Sequence, residues 1–121
     1  MVLLLLLSVP LGAQETVQPV RVAIAPPHDN ALNRELHSAV TAELRKLKYV
    51  ILTTRRADYD IGVVAASLAA GKTGCAGLVA SMVVVDMDKP DERKISLYMG
   101  PDAKQLARDL VTKLNKEVFK R

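Results

Sequence analysis

The sequence predicts a single α+β domain with the element order β-α-β-β-β-α, a mixed sheet with two helices packed on one face. Three observations carry that expectation: apolar residues at three- and four-residue steps in two segments only, five β-rich runs with turn residues between them, and a length of 121 residues, about one ordinary domain. The first strand is VRVAIA, residues 20–25, where Val20, Val22 and Ile24 alternate before Pro26 and Pro27 end it. From Asn30 to Lys48, Leu32, Leu36, Val40, Leu44 and Leu47 recur on one side, with Asn33, Arg34, Glu43, Arg45, Lys46 and Lys48 placed mostly around the rest of the wheel. Asp29 or Asn30 is suited to cap this helix, and the late lysines suit the negative end of its dipole.

YVILTT, residues 49–54, completes a strand, helix, strand unit, which sets the two strands parallel. After the polar break RRAD come YDIGVVAASLA and LVASMVVVDM, two strands expected as a hairpin around a glycine-rich loop. DKPDER turns the chain into KISLYM, where Ile95, Leu97 and Met99 share one side and Lys94, Ser96 and Tyr98 the other, expected as the wet side. Gly100-Pro101-Asp102 then opens a helix, with the proline in its first turn, where a missing amide hydrogen costs nothing. Its expected buried stripe is Ala103, Leu106, Ala107, Leu110, Leu114 and Val118, and Lys104, Arg108, Lys113, Lys116, Lys120 and Arg121 make the rest basic.

The first residues, MVLLLLLSVPLGAQ, run apolar from Val2 to Leu7 and reach Gly12 and Ala13 before any charge, which predicts a signal peptide over residues 1–13 and a domain over 14–121. The run falls far short of the roughly 20 residues of a membrane span. A periplasmic or secreted location follows, with no integral membrane span in the mature chain. The only cysteine, Cys75, cannot close an internal disulfide and is expected as a free thiol in the glycine-rich loop. It lies far from the leader, so a lipid-bearing cysteine at a processed amino terminus is not expected.

Gly71-Lys72-Thr73 copies the end of a phosphate-binding loop, but that loop needs a glycine where Ala66 stands and a helix directly after it. Here the residues that follow predict a strand, so Gly71, Gly74 and Gly77 are read as permissive positions in a hairpin loop. The acidic pairs Asp58/Asp60 and Asp86/Asp88 sit beside turns, where aspartate bonds the local backbone. His28 and His37 are too far apart for a helical metal pair, and one cysteine makes no zinc set. No metal, cofactor or catalytic residue is expected, and the chain reads as non-enzymatic.

One end of the sheet gathers chemistry. In a parallel unit the loop PPHDN and the segment TTRRAD lie at the same end, bringing His28, Asn30, Thr54, Arg55 and Arg56 toward the start of the first helix. That arrangement suits a small anion, a carboxylate or an acidic partner surface, and supports an alternative reading as a ligand-binding domain or hydrolase. The net charge of +4 raises nucleic acid, but with no Trp, one Phe and three Tyr there is no stacking platform, and none is expected as a partner. Contact of the basic final helix with an anionic surface is the electrostatic alternative.

The RVAIAP strand, the amphipathic helix and ADYDIGV entering a long strand resemble the small αβ domains of bacterial envelope proteins, such as the amino-terminal domain of TolB and the periplasmic part of CsgG-like proteins. The resemblance follows element order over residues 20–119 and rests on Val22, Ile24 and Pro26, then Ala57, Asp58 and Ile61. It implies a non-catalytic role in contacts between envelope proteins or in assembly. The chain lacks the propeller of the one and the lipidated cysteine of the other, and no functional residue carries over. The leading expectation is an exported domain that contacts another envelope protein through a sheet edge, the hairpin loop or the arginine end.

Overall fold

A computed structural model describes residues 18–68 and 77–120. Its elements are β1 (Val20–Ile24), α1 (Ala31–Arg45), β2 (Val50–Leu52), β3 (Tyr59–Leu68), β4 (Gly77–Asp86), β5 (Arg93–Gly100) and α2 (Ala103–Lys113), which continues as a π-helix over Leu114–Phe119. The sheet order is β2-β1-β3-β4-β5. β1 pairs in parallel with both β2 and β3, and β3–β4 and β4–β5 are antiparallel. The predicted mixed sheet with both helices on one face is the observed one, and its order is β-α-β-β-β-β-α, one strand more than the expected β-α-β-β-β-α.

The helical stripes explain the core. Leu36, Val40 and Leu44 of α1 and Leu106, Ala107, Leu110 and Leu114 of the last helix are fully buried against Val22, Ile61, Met82 and Val84 of the sheet. Burying each large apolar side chain contributes roughly 1.5–3 kcal/mol, which supplies the drive that one cysteine cannot. Leu32, Leu47 and Val118 are half-buried at the margins. Asn30 caps α1, its carboxamide oxygen accepting from the Asn33 amide at 2.9 Å, and Asp102 caps α2 through the Gln105 amide at 2.8 Å. Pro101 thus precedes the cap of α2 instead of lying in its first turn, a two-residue correction that keeps the advantage of a residue needing no amide partner.

The ladder continues to Leu68 opposite Gly77, so a strand follows the Gly71-Lys72-Thr73 segment and the phosphate-loop context is replaced by a hairpin. Gly71, Lys72, Thr73, Gly74 and Cys75 themselves lie outside the described residues. Gly77 shows why glycine is needed at the hairpin's return: its φ is +108°, and a Cβ there would stand 3.0 Å from the Gly100 carbonyl oxygen.

Two faces are assigned differently from the sequence expectation. Asn33, expected among the outward residues of the first helix, is buried at 3% exposure and bonded to β3. In β5 the sides are inverted. Ser96 is buried and Tyr98 packs on the core, whereas Ile95, Leu97 and Met99 are 70%, 68% and 67% exposed. Alternation tells which residues share a side, but the side that α2 covers is set by its docking over Gly100, where a Cβ would already come within 3.3 Å of Leu106.

Candidate functional site

The residues singled out at the arginine end occupy two connections at the carboxyl ends of β1 and β2. His28 is exposed in the β1–α1 loop and its carbonyl accepts from the Asn30 amide at 2.8 Å. The Asn30 side chain is already committed to capping α1. Thr54, Arg55 and Arg56 are exposed in the β2–β3 connection, where the Thr53 hydroxyl bonds both the amide and the carbonyl of Arg55, and Arg56 takes a left-handed φ of 51°. His28 lines a hollow of about 200 Å³ with Pro26, Gly62, Val64, Ser81 and others, on the sheet face away from the helices; neither arginine takes part in it.

One carboxylate of each acidic pair has a backbone partner. The Asp58 carboxylate accepts from the Arg21 amide at 2.8 Å and the Asp86 carboxylate from the Asp88 amide at 2.9 Å, which ties turns to strands. Among the described residues no three histidine, cysteine or acidic side chains cluster as a metal set. A polar hollow of about 330 Å³ between β5 and the chain end is ringed by Lys89, Lys94, Lys120, Asp86 and Glu92, so its charges largely offset one another. On α2 and its continuation, Lys104, Arg108, Lys116 and Lys120 are exposed, while Lys113 lies 3.7 Å from Glu117 and 5.8 Å from the Tyr98 ring centroid.

The uncovered face of the sheet is the feature that the sequence reading missed. With both helices on the other side, the outward residues of β3, β4 and β5 form a continuous apolar surface. Ile95, Leu97 and Met99 rise from β5 as a ridge, Val79, Val83 and Val85 of β4 are half-buried beside it, and Val64 of β3 is 40% exposed. Between β1 and β3 the surface sinks. A hollow of about 290 Å³ is lined by Ala23, Ala25, Gly62, Val83, Val85 and Asp60, among others, and adjoins the one that His28 lines. Gly62 creates the depression, because a Cβ built there meets nothing within 4 Å. Contiguous exposed apolar area on this scale marks interaction surfaces in proteins. Three large apolar side chains at two-residue spacing in the last strand are the signal for this face in the sequence.

No protein-family model and no curated protein matches the sequence. Solved structures do resemble the fold. PelC from Paraburkholderia phytofirmans, whose structure is of a dodecamer, aligns with a TM-score of 0.52 at 14% identity, over 83% of this chain and 92% of its own. A methionine-for-leucine variant of that PelC dodecamer aligns with a TM-score of 0.52 at 12% identity, over 81% and 84%. Protein XCC0632 from Xanthomonas campestris, of the DUF330 family, aligns with a TM-score of 0.55 at 10% identity, over 78% and 82%. The domain is thus a small αβ unit with a fold similar to those of PelC and DUF330 proteins, and not specifically to the TolB and CsgG-like domains that the sequence resembles. Among the described residues no helix is long and apolar enough to cross a membrane.

Proposed function

We propose that this chain is a non-enzymatic assembly domain of the bacterial envelope, exported by residues 1–13, which holds a protein partner against the uncovered face of its sheet. The observation that carries the reading is the ridge of Ile95, Leu97 and Met99, each about two-thirds exposed on a face with no helix over it among the described residues. An edge strand also offers unpaired backbone groups, but Arg93 and Lys94 at its start are the charges that discourage strand addition. The face is therefore favoured over the edge, and over the arginine end, whose cap oxygen is already used. That PelC, similar in fold, was solved as a dodecamer supports an assembly role for this architecture. The solvated cations of α2 and its continuation, Lys104, Arg108 and Lys116, are assigned to contact with an anionic surface.

A photo-crosslinking residue placed at Leu97 in the full chain, expressed in its own cells, is expected to yield a discrete protein adduct, and Leu97→Asp to abolish the association while leaving the thermal midpoint within a few degrees. A crosslinker at Leu97 that captures no protein overturns the reading. For the anionic contact, vesicles containing phosphatidylglycerol are expected to retain the domain at low salt and release it near ~0.5 M, where the screening length is only a few ångströms. Retention unchanged by salt would exclude an electrostatic contact.

A further inference from the structure

We infer that the partner on the open face is a second copy of this chain, packed sheet to sheet about a two-fold axis running along β4. The inference rests on the proposed docking role of that face and adds the identity and register of its occupant.

The strand pairings arrange the outward residues in rows across the sheet. Asp60, Val85 and Arg93 form one row, followed by Gly62, Val83 and Ile95, then Val64, Ser81 and Leu97, then Ala66, Val79 and Met99. In every row the β5 residue is larger or more basic than its β3 counterpart. A half-turn about a line along β4 keeps each row level and exchanges its ends. Ile95 of one copy then comes down on Gly62 of the other, Leu97 on Val64, Met99 on Ala66, and Arg93 on Asp60. Each ridge residue meets a small or apolar site, and the single exposed acid of β3 meets the arginine of β5. Within the chain these two charges lie two strands apart, and neither belongs to an ion pair among the described residues.

The geometry is self-consistent. A two-fold contact is made by the same patch on both copies, so it must be complementary to itself, and this patch is, ridge to hollow and cation to anion. Aligned sheets pack about 10 Å apart with strands crossing near 30°, a spacing at which an isoleucine opposite a glycine fills the gap that two facing side chains would contest. Three overlapped strands, each about 4.8 Å wide and roughly 26 Å long, cover on the order of 380 Å² in flat projection. The protruding ridge raises the accessible area buried toward the roughly 600 Å² per partner at which specific interfaces begin. A reversible dimer of micromolar strength is the expected consequence.

The test mixes two preparations of the full mature chain in a Cys75→Ser background, one carrying Gly62→Cys and the other Ile95→Cys. Facing sheets stand about 10 Å apart, beyond the ~7 Å at which a disulfide can form, so a thiol-reactive crosslinker spanning roughly 10 Å is used, and because each chain holds only one of the two thiols any 62–95 link joins two copies. Crosslinking is expected to give a covalent dimer whose peptide map contains the 62–95 linkage. Sedimentation of the unlabelled chain is expected to show a concentration-dependent dimer. Gly62→Val fills the hollow at a position with open space around its Cβ and is expected to give a folded monomer. Asp60→Arg is expected to weaken the dimer at least tenfold, and Asp60→Arg combined with Arg93→Asp to restore it.

A chain that stays monomeric up to millimolar concentration, while the crosslinker at Leu97 still captures another protein, overturns the second copy and leaves the docking face standing. Absence of both the dimer and any adduct overturns both. A dimer that survives Gly62→Val, or crosslinking that yields no 62–95 linkage, overturns the two-fold register.

Discussion

Phe119→Ala is expected to destabilise the domain by about 3–5 kcal/mol, the range for removing a buried aromatic side chain. Phe119 is 6% exposed and stands where three of the four aromatic residues of the chain converge. Its ring meets Tyr49 edge-on at 6.0 Å and Tyr59 at 5.4 Å with a tilt of 56°. Such pairs contribute about 0.5–1.5 kcal/mol each beyond the area they bury. Tyr49 leads into β2, and its carbonyl accepts from the Val20 amide at 2.8 Å, while Tyr59 opens β3. The contact therefore fastens the end of the chain to the lower rim of the sheet. It also accounts for the change from α- to π-helical winding at Leu114: the wider turn carries the ring inward before Lys120 closes the helix in a left-handed cap on the Asn115 carbonyl.

For a domain near 100 residues, that loss corresponds to a fall of roughly 15–30 °C in the thermal midpoint, measurable by calorimetry and checked by urea unfolding. Phe119→Leu keeps most of the volume and is expected to cost about half as much or less. A loss under about 1 kcal/mol for Phe119→Ala would show that the ring cluster does not hold the terminus.

How far the chain could be read in advance follows from how local each feature is. The stripes Leu36, Val40, Leu44 and Leu106, Leu110, Leu114 were legible because a helix puts residues three and four apart on one side whatever it packs against, and all six are fully buried. The hairpin was legible because a run of glycines between two β-branched stretches allows little else. The side of β5 was not, since a strand's alternation is symmetric and only docking of α2 over Gly100 breaks the symmetry. The open face was invisible for a related reason. Gly62 and Ile95 are distant in sequence, and only the pairings Gly62 to Val83 and Val83 to Ile95 bring them into one row. The arginine end was legible as topology, since parallel strands must end together, and of the two cap candidates, Asp29 and Asn30, the structure selects Asn30, whose oxygen is thereby committed to the helix.

Asn33 is the case in which a polar residue read as solvated carries the junction between helix and sheet, and its replacement by alanine is expected to cost about 2–5 kcal/mol. The carboxamide oxygen accepts from the Ala65 amide at 2.8 Å, and its nitrogen donates to the Ala65 carbonyl at 3.1 Å and to the Asn30 carboxamide oxygen at 2.9 Å. β1 ends at Ile24, opposite Ile61, with one further bond from the Ala25 amide to the Ile61 carbonyl. Beyond it, the edge of β3 toward β1 has no strand beside it among the described residues, and the side-chain amide of Asn33 takes the place of a missing peptide. Alanine would leave a buried N–H and a buried C=O without partners, each costing about 1–3 kcal/mol.

Asn33→Asp separates this geometry from simple burial. A carboxylate can still accept from the Ala65 amide, but it has no proton for the Ala65 carbonyl or for Asn30, and burial disfavours its charge. Its folded-state affinity for a proton is then raised above that of the unfolded chain, so the variant gains stability as pH falls through the raised value and is weakest at neutral pH. Urea unfolding at pH 7 and pH 5 is expected to show the deficit relative to the native chain shrinking on acidification, whereas the deficit of Asn33→Ala stays level. The local reporter is hydrogen exchange at the Ala65 amide, expected to be protected in the native chain and to exchange at least tenfold faster in Asn33→Ala. Unchanged protection at Ala65, together with a loss below about 1 kcal/mol, would mean that the edge of β3 finds its partners elsewhere.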